Sequence, residues 1–371
     1  MSISARPAPP TASTLASAEA PAAPASSAAL AAASRPGLVR GAGPRIGWLL
    51  LATVGLLGVT VLSVIVGARD LPLATVWEAV ISRQAIETHY VVWDLRIPRT
   101  LVAIVVGASL GVAGALVQAL TRNPLADPGI LGVNSGAAFA VTVGVGVFGL
   151  SSVVSTIWFA FGGALIVTVA VYAIGAAGRG GADPMRLVLA GVALGAALSG
   201  ATSALTLLDP SAFDKLRNWG AGSVVGRELT QVWPVLPFLA VGIVLALCMA
   251  QTLNAIALGE DLASALGANV LRTRIIVIIA VTLLAGGATA IAGPIGFIGL
   301  MVPHVARWIT GPDQRWILAF TLVLAPILLL LADIAGRILM RPAEIPVGIV
   351  TAFIGAPVLI FLIRRRRLSQ L

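Results

Sequence analysis

The chain is cut into roughly ten apolar runs, each about as long as a bilayer is thick, and that pattern leaves few folds open. An α-helix rises 1.5 Å per residue and needs about 20 apolar residues to cross roughly 30 Å of hydrocarbon. The first run, IGWLLLATVGLLGVTVLSVIVG at 46–67, meets that requirement without a charged residue. Glycines, prolines and charge clusters delimit further runs near 98–120, 129–149, 153–176, 186–208, 231–251, 272–292, 294–311, 316–338 and 345–363. Only AGPIG at 292–296 separates the seventh from the eighth, which predicts a sharp turn at Gly293-Pro294. Hydrophobic residues make up 58% of the chain and charged residues 11%, at a mean hydropathy of +1.01. That is more apolar surface than a soluble core can bury, so the expected fold is all-α, a polytopic membrane protein with ten helices over residues 45–371.

Residues 1–44 are rich in Ala, Pro and Ser and poor in large apolar side chains, the composition of a disordered tail. No apolar core lies near the N-terminus to serve as a signal peptide, so the run at 46–67 reads as an uncleaved first span. With ten spans both termini share one side. Most of the basic residues fall on that side, including Arg122, Arg186, Arg272, Arg274, Arg307, Arg315 and the RRRR at 364–367. Basic residues concentrate in cytoplasmic loops, which places both termini on the cytoplasmic side. Arg96 and Arg99 then lie outside, against the general bias.

Several chemistries are excluded or disfavoured. A P-loop needs a Gly-Lys-Ser/Thr step, and the only lysine, Lys215, sits in Asp214-Lys215-Leu216. Ion-coupled carriers keep ionisable groups near the bilayer midplane, whereas every Asp and Glu here falls in a loop or near a span end. An ion-coupled secondary transporter of a small chelate, built on a helix broken at Gly293-Pro294, is the alternative reading. His89 and His304 do not form a metal set, and the single Cys248 lies in an apolar run. The net charge of +9 comes without a basic face or an aromatic reader motif, so nucleic acid is not a partner. No catalytic constellation, metal site or cofactor site is expected.

What remains points to contact and passage. Ala103, Gly107, Gly111, Ala115 and Ala119 recur every four residues, a flat stripe that lets another helix approach closely. Gln118 either lines a pathway or bonds across helices. TRNPLADPGILGVNSG at 121–136 strings Asn-Pro and Asp-Pro turns into a cytoplasmic connection. In the next such segment Gly259 precedes Glu260 and Asp261, which suit a helix N-terminus. Leu262 and Leu266 then form an i,i+4 apolar pair, predicting a short amphipathic helix on the cytoplasmic face, either a docking element or a plain connector. At the outer end Pro98 fits a first helical turn, which puts Arg96 and Arg99 on nearly one face, projecting into the aqueous layer. They either meet a soluble partner, reach lipid headgroups, or pair locally, Arg96 with Asp94 as Arg337 would with Asp333.

Six segments together resemble the permease subunits of iron–siderophore, haem and cobalamin ABC importers. They are RIPRTLVAIVVGASLGVAGALVQALTRNPLADPGILGVNSGA (96–137), RLVLAGVALGA (186–196), ALGEDLASALGAN (257–269), GPIGFIGLMVPHVARWITGPDQR (293–315), LLADIAGR (330–337) and IPVGIVTAFIGAPVLIFLIRR (345–365). The wording of the first, fourth and sixth is most similar to permeases for ferric enterobactin and related catecholate siderophores. The resemblance implies the type II ABC importer permease fold, with two permease subunits, copies or relatives, around a central pathway. It also implies separate ATP-binding subunits below and a substrate-binding protein that delivers a ferric siderophore from outside. Carried over by motif, Leu258, Gly259, Glu260, Leu262, Leu266 and Gly267 belong to the helix that couples to the ATPase. Asn123 and Leu125 match an inner gate position, and a second gate position falls on Pro184 and Met185, which lack the hydroxyls found in the cobalamin member. Arg96, Arg99 and Arg337 match binding-protein docking positions.

Overall fold

The computed structural model describes residues 37–39, 41–177 and 184–367, without the side chains of 184, 211, 212 and 362–367. Within these residues the chain is helical throughout, with no strand. Thirteen helices follow one another: α1 Ala42–Ile65, α2 Leu73–Ile81, α3 Glu87–Thr121, α4 Val133–Gly146, α5 Val153–Ala176, α6 Pro184–Leu208 and α7 Pro210–Gly220. They continue as α8 Leu229–Ala257, α9 Glu260–Ala265, α10 Val270–Ala292, α11 Ile298–Thr310, α12 Gln314–Leu339 and α13 Val347–Arg367. Helices α1, α3, α5, α6, α8, α10 and α12 are each long and apolar enough to cross a membrane, and the apolar parts of α4 and α13 are shorter. This is a multi-pass membrane protein.

The eighth predicted span, near 294–311, is α11, and it is cut short. Its 13 residues reach only about 20 Å. The chain leaves α10 at Gly293, where φ is 74°, and has no regular structure up to Phe297, after which α11 begins, so the expected break at Gly293-Pro294 is present. A Cβ at Gly293 would lie 2.1 Å from the Trp219 carbonyl oxygen, so only glycine fits that corner. Phe297 also has positive φ, 70°, and its ring lies where a Cβ on Gly355 of α13 would stand.

The long helix α3 forms the core and packs against α12, α11 and α10. The small-residue stripe does what its spacing predicts. A Cβ on Gly107 would meet the Pro326 backbone at 2.9 Å and one on Gly111 the Ala325 side chain at 2.5 Å, while off the stripe a Cβ on Gly114 would meet the Gly299 carbonyl oxygen at 1.9 Å. Small side chains bring the backbones of α3, α11 and α12 into contact, where dispersion and close packing stand in for the missing hydrophobic drive. A π-turn at Val91–Arg96 opens α3 near its start, and another at Thr282–Gly286 interrupts α10.

The N-terminal tail differs from its expectation in the part that is described. Helix α1 starts at Ala42, and the Leu38 and Val39 N–H groups donate to the Trp308 and Ile309 carbonyls at 3.0 Å. Those carbonyls end α11 and have no partner within it. Residues 1–36 lie outside the described residues.

Candidate functional site

Two ends of the bundle carry the residues of interest. At the first, α3 begins, α12 ends, and α1 runs out into the connection to α2. Arg96, Arg99 and Arg337 meet there, but they are buried, with exposures of 4%, 8% and 1%. The sequence placed them in the aqueous layer, and the structure turns them inward. The reason is the C-terminus of α1, whose last carbonyls lack intrahelical partners and carry the negative end of the helix dipole. Arg337 donates from Nη1 to the Ser63 and Val66 carbonyls at 2.7 and 2.9 Å. Arg96 donates to the Val64 and Ile65 carbonyls at 2.9 and 2.6 Å and to the Arg69 carbonyl at 2.7 Å.

Between Arg99 and Arg337 sits the buried carboxylate of Asp333. Arg99 forks onto it through Nε and Nη2, the closest contact being 2.7 Å, and sends Nη1 to Glu344 at 2.5 Å. Arg337 holds the other Asp333 oxygen through Nε and Nη2. Two guanidiniums thus face two carboxylates, the arrangement that makes a buried ionic cluster tolerable. Ser63 and Thr100 add a hydroxyl pair at 2.8 Å. Of the local pairs considered from sequence, Arg337 with Asp333 forms, while Asp94 bonds Arg83 rather than Arg96. Glu344 had no signal in the sequence, because its partner lies 245 residues away.

At the opposite end, α9 is the short helix predicted after Gly259. Gly259 and Gly267 bracket it with φ of 124° and 85°. Leu258, Leu262 and Leu266 are 56%, 49% and 65% exposed, so three leucines face away from the bundle. Glu260 ties the helix down, with Arg274 of α10 at 2.6 Å and Arg122 after α3 at 3.8 Å. Asn269 caps α10 by accepting from the Arg272 N–H, and Asn254 bridges the end of α8 to Asp313 and the Gln314 N–H at the start of α12. The leucines therefore sit on a braced platform.

The positions expected to form a gate lie after α3 and at the start of α6. Asn123 is exposed and accepts the Leu125 N–H at 3.0 Å, closing a tight turn. Met185 is 64% exposed on the first turn of α6, and the Pro184 side chain lies outside the described residues. Gln118 takes the cross-helix alternative. It is 2% exposed, donates to the Gly299 and Leu300 carbonyls and accepts from Arg307. In the same connection burial pushes the Asp127 carboxyl above its ordinary pKa, opposed by the hydrogen bond it accepts from the Gly129 N–H. Among the described residues no cluster of His, Cys, Asp or Glu could hold a metal ion.

The FecCD transport family model matches residues 55–365. The chain belongs to that family. It is 50% identical over 321 residues to the ferric enterobactin transport system permease protein FepD of Escherichia coli, covering 86% of this chain and 94% of that protein. It is 42% identical to the iron(3+)-hydroxamate import system permease protein FhuB of Bacillus subtilis, covering 82% and 80%. Among solved structures it is similar to an inward-facing conformation of a transporter described as of the metal-chelate ABC type. That match has a TM-score of 0.72 at 29% identity, over 86% of this chain and 99% of the other. As a family member the chain is a transport permease subunit of an ABC importer, not an enzyme.

Proposed function

We propose that this chain carries a ferric siderophore of the catecholate class across the bacterial cytoplasmic membrane, with both termini inside. The observation that carries the reading is the pairing of a braced, leucine-bearing helix at one end with relatives that are permeases for iron chelates. Without a P-loop the chain needs a separate ATP-binding subunit, and α9 offers it Leu258, Leu262 and Leu266, held in place by Gly259, Glu260 and Gly267. Asn123 and Leu125, with Pro184 and Met185 at the start of α6, form the inner constriction.

At the outer end a soluble binding protein docks over the arginine network. Arg96, Arg99 and Arg337 serve it from beneath. They fix the end of α1 and the connection before α13, and so present the exposed charges of Arg69, Arg83 and Arg341. A second permease subunit, a copy or a homologue, completes the pathway against α6 and α13, whose outward faces carry Leu189, Val192 and Phe353. The test is uptake of labelled ferric catecholate, hydroxamate and citrate chelates by a strain lacking this gene. Selective loss of catecholate uptake is expected, and normal uptake of all three would overturn the assignment.

A further inference from the structure

Behind α7, at the end that carries the arginine network, a cavity of about 440 Å³ opens among α4, α5, α7 and the connection to α8. Its polar lining comes from Lys215, Asn218, Trp219, Ser223 and Arg227, joined by Ser151 and Thr156, and no carboxylate lines it. Lys215 spends one proton on the Leu150 carbonyl at 2.5 Å. Trp219 is 7% exposed, yet its indole Nε1–H is buried without a partner, and so is Nε of Arg227. A buried donor with no acceptor costs about 1–3 kcal/mol when nothing fills the gap. Two donors of that kind, with the Lys215 ammonium on the same lining, mark a place for an acceptor.

Arg227 strengthens the case. It lies in the connection between α7 and α8, and burial pushes its pKa down with no opposing carboxylate. Elsewhere at this end the arginines are answered by protein oxygens, as Arg99 is by Asp333 and Glu344.

We propose that this cavity binds a small oxyanion, held by the ammonium of Lys215, the guanidinium of Arg227 and the indole N–H of Trp219. Charge-assisted donors of this kind match phosphate-type oxygens. The bound group would tie α7 to the connection that follows it. Two sources offer that chemistry, a free anion and the phosphate of a lipid headgroup.

The purified chain is titrated with inorganic phosphate against chloride at equal ionic strength while thermal unfolding is followed, and native mass spectrometry records retained phospholipid. Phosphate should raise the midpoint of the wild type. Arg227→Gln or Lys215→Gln should weaken the apparent affinity by about tenfold, the loss of roughly one charge-assisted bond. Trp219→Phe keeps the ring and should weaken it less, and Arg227→Lys, should the glutamine variant fail to fold, should retain a reduced response. A wild type indifferent to phosphate but holding a phospholipid that Arg227→Gln releases would support the site with lipid as its source. A phosphate response unchanged in the variants, or neither phosphate nor lipid binding, would overturn the proposal.

Discussion

Arg337→Met should be among the more damaging single changes in this chain, although its side chain reaches toward the polar end of the bundle. The substitution keeps a long stem but removes the charge from a carboxylate that is 1% exposed, and it strips the Ser63 and Val66 carbonyls of their donor. Breaking a buried ion pair by removing one partner costs about 3–5 kcal/mol. Asp333 keeps its two-pronged contact with Arg99, which puts Arg337→Met near the lower figure, about 3 kcal/mol. Asp333→Leu is worse, because Arg337 then has no carboxylate and Arg99 only Glu344, so about 5 kcal/mol is expected. The double variant Arg337→Met/Asp333→Leu removes one charge of each sign and should cost less than the sum of the two. The assay is equilibrium unfolding in mixed detergent micelles for the four corners of that cycle. Single-variant losses below about 1 kcal/mol, the level of an exposed pair, would refute the buried network and return these arginines to the aqueous layer.

Three further outcomes follow from the same geometry. Leu266→Asp should leave the permease folded, since the side chain is 65% exposed, but abolish co-purification of the ATP-binding subunit. Burying one leucine is worth about 1.5–3 kcal/mol, and an unchanged complex would remove α9 from the coupling role. Gly114→Ala should destabilise the bundle by about 1–3 kcal/mol or more through overpacking against the Gly299 carbonyl, and an unchanged unfolding midpoint would mean that α3 and α11 lie further apart. Asp127→Asn keeps the acceptor for the Gly129 N–H and removes the titration. With the folded pKa raised above 3.8, the wild type gains stability from the protonated form at low pH and loses it as pH rises through the folded value. The variant should be flat over that window, and parallel profiles would show that the carboxyl is not buried.

Much of this architecture was legible because the bilayer imposes it. Span length, the small-residue stripe on α3 and the break at Gly293 all follow from local sequence and a fixed hydrocarbon thickness. The helix α9 was visible for the same reason, from glycine, two acids and an i,i+4 leucine pair. The arginines were not legible. Their spacing fixes a shared helical face but not what that face meets, and the deciding groups are the ends of α1 and α12 and a glutamate 245 residues from Arg99. Changing Arg96, Arg99 or Arg337 to Glu would reverse a charge inside this buried network. Gln118 shows the same limit, since its two readings separate only once the Gly299 and Leu300 carbonyls of α11 come within reach. Phe297 had no sequence signal at all, because its positive φ is set by the turn into α11 and by Gly355 on α13.

The central claim is that this chain passes a ferric siderophore under ATP power supplied by another subunit. The most direct measurement is uptake into proteoliposomes holding the permease with its ATP-binding subunit, fed by loaded binding protein, while a protonophore and a sodium ionophore collapse both gradients. Labelled ferric catecholate should still accumulate when ATP is enclosed with the nucleotide sites. Uptake that stops with ATP present, or that proceeds on a gradient without the ATP-binding subunit, would contradict it.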